Sequence, residues 1–263
     1  MKWYTVLLAV LLFAACRNNT RTSETPAPER PDTTVIETPE EPAPNPQPQL
    51  PDWPLEERLE RGKLYPFDEA PENPDFEAFR LKLYRAVLDK DVDFIKDIVD
   101  EDIKISFGIE NGYADFLTMW QLEEQPDSSI FWYEMQQVLE LGGGFPGERQ
   151  DMFIAPYLHL TTAVDDPYAT GAIIGESVRL RAEPNTEAEV VASLSFDKVE
   201  YLSQKNPKRE SIDGTTDIWE KVQLLDGTQG YVFGQYVRSA IDFRAGFEKM
   251  EEDWKLTFFV AGD

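Results

Sequence analysis

The chain has 263 residues, 29% of them charged, with 50 acidic against 25 basic side chains and a formal net charge of -25. So acidic a surface repels a phosphate backbone, which argues against nucleic acid as a partner. One Cys and one His exclude an internal disulfide framework and a zinc site built from those ligands.

Lys2 opens the chain, residues 6–15 form an unbroken apolar run, and the small residues Ala14 and Ala15 precede Cys16. A membrane-spanning helix takes about 20 apolar residues, so this run is too short to be one. The layout is that of a secretory signal. Leu12-Phe13-Ala14-Ala15-Cys16 resembles the lipobox of bacterial lipoproteins, with Phe13 where Leu is most usual. The resemblance implies a signal peptide over 1–15, cleavage before Cys16, and a diacylglyceryl group on the Cys16 sulfur. The alternatives are an ordinary signal peptide or a retained apolar N-terminus. Each buried acyl CH₂ contributes about 0.8 kcal/mol, so two or three chains would anchor the protein stably.

Residues 16–72 are expected to form a Pro/Glu-rich tether. Thirteen of the nineteen prolines fall between Pro26 and Pro74, and residues 39–51 have almost no apolar side chains. Such a segment cannot bury enough surface to offset the entropy of ordering, so it is expected to be disordered and extended. In polyproline II form, about thirty residues would reach about 90 Å. Residues 55–65, with Leu55, Leu59 and Leu64, admit a short helix. The prolines could also serve a Pro-binding groove, one on this chain included, although a plain spacer is the leading expectation.

A folded part begins at Asn73-Pro74, a helix N-cap followed by Pro at the first helical position. Phe76, Phe79, Leu83 and Val87 continue at helical spacing. A second short helix is predicted over 92–99, then a half-buried strand in which Ile103, Ile105 and Phe107 alternate with polar residues. Helices are predicted over 113–122 and 128–141, the latter stopped by Gly142-Gly143-Gly144. That Gly run lacks the Lys-Ser/Thr of a phosphate-binding loop and follows a helix rather than a strand. Near the C-terminus, 243–249 and 254–260 read as a hairpin. The opening over 74–108 and the closing hairpin within 240–262 resemble NTF2-like or SnoaL-like domains. Residues 109–144 depart from that family, reading as helical where it has strands.

Residues 170–238 carry the most specific signal. Val178-Arg-Leu-Arg-Ala-Glu-Pro184 is followed by Val190-Val-Ala-Ser-Leu194, Trp219-Glu-Lys-Val222, Asp226-Gly-Thr-Gln-Gly-Tyr-Val232 and Tyr236. These blocks, in this order, resemble a bacterial SH3 (SH3b, SH3-type-3) domain. Alternation in Val178, Leu180 and Val190, and again in Val199, Tyr201, Trp219 and Val222, suits short strands of a small barrel. Asp226-Gly227 is a hairpin turn, and Gly230 allows a close approach to the barrel. By position in the resemblance, Trp219, Phe233 and Tyr236 would line the ligand groove, and barrel core is the competing reading for Trp219 and Tyr236. Core is the leading reading for Tyr231. Phe233 stands where signalling SH3 domains carry Pro, and their acidic, aromatic RT-loop pattern is missing. Residues 203–216, with Lys205, Lys208 and Arg209, are longer and more basic than a plain turn, and read as a solvated loop or a contact surface.

The expected fold class is α+β: a helix-rich α+β domain over 73–168 plus 240–263, and a small all-β SH3-like barrel over 170–238. Nearby SH3 termini suit insertion of the barrel into the first domain. In the alternative, the terminal hairpin packs on the barrel as an extension.

Catalytic signals are weak. His159, the sole His, lies in an apolar segment without a G-x-S-x-G elbow, and reads as structural. Acidic pairs such as Asp100-Glu-Asp102 and Asp165-Asp166 are too common here to mark an active site. No EF-hand pattern, metal or cofactor is indicated. The expected function is a non-enzymatic, lipid-anchored bacterial cell-envelope protein, held to a membrane through Cys16, in the outer membrane in preference to the inner where there are two. Its SH3b module would bind peptidoglycan or an envelope protein. The alternatives are an enzyme or small-molecule binder with a pocket in the NTF2-like part, or a purely structural envelope component.

Overall fold

The computed structural model describes residues 57, 60–147, 149–161 and 166–262. The expected signal peptide, Cys16 and the Pro-rich stretch up to residue 56 lie outside the described residues. Those described form a mixed α+β fold with four α-helices and two β-sheets.

Helix α1 (Pro74–Asp89) starts where local chemistry places it. The Asn73 side chain accepts from Phe76 N at 3.2 Å, and the helix ends on Lys90 in the left-handed region. Helix α2 (Val92–Ile98) is capped by Asp91, which accepts from Phe94 N at 3.0 Å, and leads straight into β1 (Val99–Lys104). The predicted strand over 103–107 therefore begins earlier and ends sooner. Ile103 and Ile105 are buried, but Asn111 Oδ1 accepts from Ile105 N and Ser106 N and turns the chain, leaving Phe107 exposed. Helices α3 (Tyr113–Met119) and α4 (Phe131–Glu140) follow, both shorter than predicted.

The chain then makes β2 (Met152–Ala155) and leaves this layer. Eight strands follow in succession: β3 (Thr170–Ile173), β4 (Val178–Arg181), β5 (Val190–Leu194), β6 (Lys198–Tyr201), β7 (Arg209–Ile212), β8 (Thr215–Gln223), β9 (Gln229–Phe233) and β10 (Val237–Ser239). The chain returns as the hairpin β11 (Arg244–Met250) and β12 (Asp253–Val260).

The first sheet has the order β1-β12-β11-β2, with β1 parallel to β12 and the other pairs antiparallel. The second is antiparallel in the order β10-β3-β6-β8-β9-β4-β5, with β7 paired to β8. The strands that are first and last along the chain, β3 and β10, are neighbours in it, Ile173 opposite Val237 and Gly171 opposite Ser239. All eight strands between β2 and β11 thus belong to one sheet, while β2 and β11 pair in the other.

Each sheet has its own core. In the first layer, Phe76 of α1 stacks on Phe153 of β2 with ring centroids 4.2 Å apart, and meets Trp254 of β12 edge-on at 4.7 Å. Each such buried ring contributes about 1.5–3 kcal/mol. In the second, Ile173, Leu180, Val199, Val222 and Val232 pack together. Val190, part of the same alternation as the buried Val178 and Leu180, is exposed on the edge strand β5.

Residues 63–72, placed in the tether by their surrounding prolines, are packed between the two layers. Leu64 N donates to Phe196 O at 2.7 Å, Lys63 pairs with Asp197 at 2.8 Å, and Leu64 is buried with Tyr157, Leu158 and Ala172. Asp68 pairs at 2.6 Å with the buried Arg80. Leu64, Phe67 and Ala70 supply the apolar surface that the Pro-rich stretch before them lacks. The short helix foreseen over 55–65 is helical at Glu57 and Glu60, and the chain turns out of it at Gly62, whose φ is 64°.

Candidate binding groove

β8 and β9 face each other in a register that puts Trp219 directly opposite Phe233. Strand side chains alternate, so Val222 and Val232, which face the core, force Trp219, Tyr231 and Phe233 to the opposite face of the sheet. The rings of Trp219 and Phe233 are 5.6 Å apart, centroid to centroid. A 3-10 turn, Gly234–Tyr236, then swings Tyr236 back to 6.4 Å from Phe233. Gly234 permits this turn because a Cβ there would strike the Asp217 carboxylate.

Trp219 and Phe233 are only 2% and 3% exposed, whereas Tyr236 is 38% exposed. The two buried rings form the floor and Tyr236 the accessible rim. Glu210 of β7 accepts from Trp219 Nε1 at 2.7 Å and fixes the indole. The predicted loop over 203–216 is in large part this β7 arm, with the turn at Asp213-Gly214.

All three predicted groove residues line one groove of about 540 Å³. Its other wall comes from β4 and its flanks: Glu176, Arg179, Arg181 and Glu187. Arg181 is held by a 2.7 Å bond from Nη1 to Ala188 O. Sequence reasoning missed this charged wall. The only signal for it was the Val-Arg-Leu-Arg alternation, which turns Val178 and Leu180 inward. The arrangement offers aromatic stacking flanked by both signs of charge, which suits a peptide-like ligand.

Tyr231, read as core, is instead half-buried on the outer face, with Lys221 Nζ 6.0 Å from its ring centre. His159 sits exposed on a 3-10 turn, and among the described residues no hydroxyl hydrogen-bonds to its ring. No group of three His, Cys, Asp or Glu side chains could hold a metal among the described residues. No helix among them is long and apolar enough to cross a membrane.

Compared with known proteins, the chain matches no family model, no curated protein and no solved structure.

Proposed function

We propose that this is a lipid-anchored cell-envelope protein, acylated at Cys16, whose β3–β10 sheet is an SH3b-like barrel inserted between β2 and β11. On this reading residues 17–56 space the folded part from the membrane. The groove at Trp219, Phe233 and Tyr236 takes a cell-wall peptide or a segment of an envelope protein, and the protein performs no catalysis. One observation carries the proposal: three aromatics chosen by their place in the SH3b pattern converge on one groove, with Tyr236 accessible at its rim. The pairing of β3 with β10 supports insertion, because the two ends of the sheet are side by side.

The enzyme or small-molecule alternative would put a pocket in the helix-rich part. Phe76, Phe153, Phe247 and Trp254 fill the space between α1 and the four-stranded sheet, and a cleft of about 530 Å³ lined by α1, α2 and β12 lies beside it. The structural-component alternative draws on the burial of Trp219 and Phe233, which leaves Tyr236 as the one groove aromatic open to a ligand.

The test is co-sedimentation of the full chain, in detergent, with purified peptidoglycan, alongside Tyr236→Ala. Binding weakened about tenfold by that change, with the fold intact, is expected. Absence of binding both to peptidoglycan and to solubilised envelope proteins would leave the barrel as a structural element only.

A further inference from the structure

A second cleft, of about 310 Å³, lies between α4 and the β3–β10 sheet. Glu134 of α4, Asp217 of β8 and Asp242 of the β10–β11 turn line it, together with a single cation, Arg238 of β10. The turn Gly234–Tyr236 separates it from the aromatic groove, giving Gly234 and Gln235 to one and Tyr236 to the other.

Arg238 is only 8% exposed, yet it is poorly satisfied. Its Nη2 donates to Phe243 O at 2.8 Å, its Nε has no partner, and among the described residues no carboxylate lies within ion-pair range. A buried guanidinium left this way is costly, and the group has donor capacity to spare. The acids are under-used in the same manner. Asp217 and Asp242 accept from the backbone N–H groups of Ile218 and Ser239, each at 2.7 Å. The Glu134 side chain accepts no hydrogen bond among the described residues, and burial holds its carboxyl above the usual range.

These charges narrow the ligand. Three carboxylates around the cleft repel a simple anion. They do not converge closely enough for a metal ion. A simple cation would leave the Arg238 donors unanswered. A molecule carrying both an ammonium and a carboxylate answers both sets, and the cleft has room for one of amino-acid to dipeptide size.

We propose that this cleft binds a zwitterionic ligand, a free amino acid or a short peptide end. Its carboxylate pairs with Arg238, and its ammonium lies among Glu134, Asp217 and Asp242. The site is independent of the aromatic groove, and Tyr236→Ala leaves it intact.

The experiment is calorimetric titration of the full chain, in detergent, with four probes: L-alanine, L-alanyl-L-alanine, its N-acetyl derivative and its C-terminal amide. At least one of the two zwitterions is expected to bind. The dipeptide binding alone identifies a peptide end, and alanine binding alone a free amino acid. If the dipeptide binds, each blocked form should be weaker by about tenfold or more. Arg238→Gln should abolish binding. Because that change touches a buried group, Glu134→Gln provides the second variant, and it should weaken binding several-fold in a folded protein. No heat from either zwitterion up to about 10 mM would overturn the proposal. So would blocked forms that bind as well as the free dipeptide, or a folded Glu134→Gln or Arg238→Gln protein with unchanged affinity.

Discussion

The Tyr157 hydroxyl donates to the carbonyl of Leu64 at 2.9 Å, across 93 residues of chain, inside a fully buried cluster. Tyr157 follows β2 of the first layer, and Leu64 belongs to residues 63–72, a strap that bridges to Phe196 and Asp197 in the β5–β6 turn of the second sheet. This bond therefore ties the N-terminal strap to both layers. Burial alone pushes the phenol far above its ordinary value, so it stays a donor at any ordinary pH. Tyr157→Phe leaves the Leu64 carbonyl without this donor and is expected to cost about 1–3 kcal/mol, read as a lowered urea midpoint at unchanged slope.

Gly143 lies against the backbone of β2. A Cβ at this position would collide with the carbonyl oxygen of Ile154, which also accepts from Gly144 N at 3.1 Å. Neither backbone can yield without losing the bridge between Gly144 and Ile154. Gly143→Ala should destabilise by about 1–3 kcal/mol. Gly147→Ala makes a poor control despite open space around it, because its φ is 66°.

Trp219 and Tyr236 belong to one groove but differ in what they support. Trp219→Ala empties a buried site and removes the partner of Glu210, so a loss of about 3–5 kcal/mol is expected in thermal or denaturant unfolding. Tyr236→Ala removes an exposed ring and should shift stability by less than about 1 kcal/mol while weakening ligand binding. Equal stability losses in the two variants would contradict the floor-and-rim division.

Glu134 gives a pH signature. Burial raises its carboxyl above the ordinary range, and the nearby charge of Arg238 only partly opposes this. A folded value above the unfolded one means that the fold is favoured most at low pH. That advantage is lost as pH rises from the ordinary carboxyl range through the raised folded value. Glu134→Gln should therefore stabilise the protein relative to wild type at about pH 7, and the difference should vanish near about pH 3. Unfolding midpoints for both proteins across that range check it. A constant difference at all pH values would mean that the carboxyl is not the cause.

Acylation at Cys16 is open to direct measurement. Growth with an alkyne-tagged fatty acid should label the chain and move it into the membrane fraction. Cys16→Ser should lose the label and remain in the precursor form. Labelling that survives the substitution would place the lipid elsewhere.

Features set by neighbouring residues were legible. Asn73-Pro74 starts α1, the φ of 67° at Gly142 ends α4, and the φ of 87° at Gly227 makes the β8–β9 turn, where Thr228 N donates to Asp226 Oδ1 at 2.9 Å. The SH3b-like spacing also picked out Trp219, Phe233 and Tyr236, whose short separations along β8, β9 and the following turn leave few ways to arrange them. The strap was not legible, because a few apolar residues beside many prolines look like more tether until partners 93 and 134 positions away are in place.

The cleft at Arg238 shows the limit from the other side. Glu134, Asp217, Arg238 and Asp242 are ordinary charges on four separate elements, in a chain where charge is everywhere. Composition, turn chemistry and alternation act over a few residues, and they sufficed for the acidic character, the Pro-rich segment and most helix and strand positions. The parallel pairing of β1 with β12, the face on which Trp219 sits, and the meeting of one buried guanidinium with three carboxylates depend on contacts between distant segments. Those contacts exist only once the two cores have packed, because only then does burying a charge carry the cost that makes its position matter.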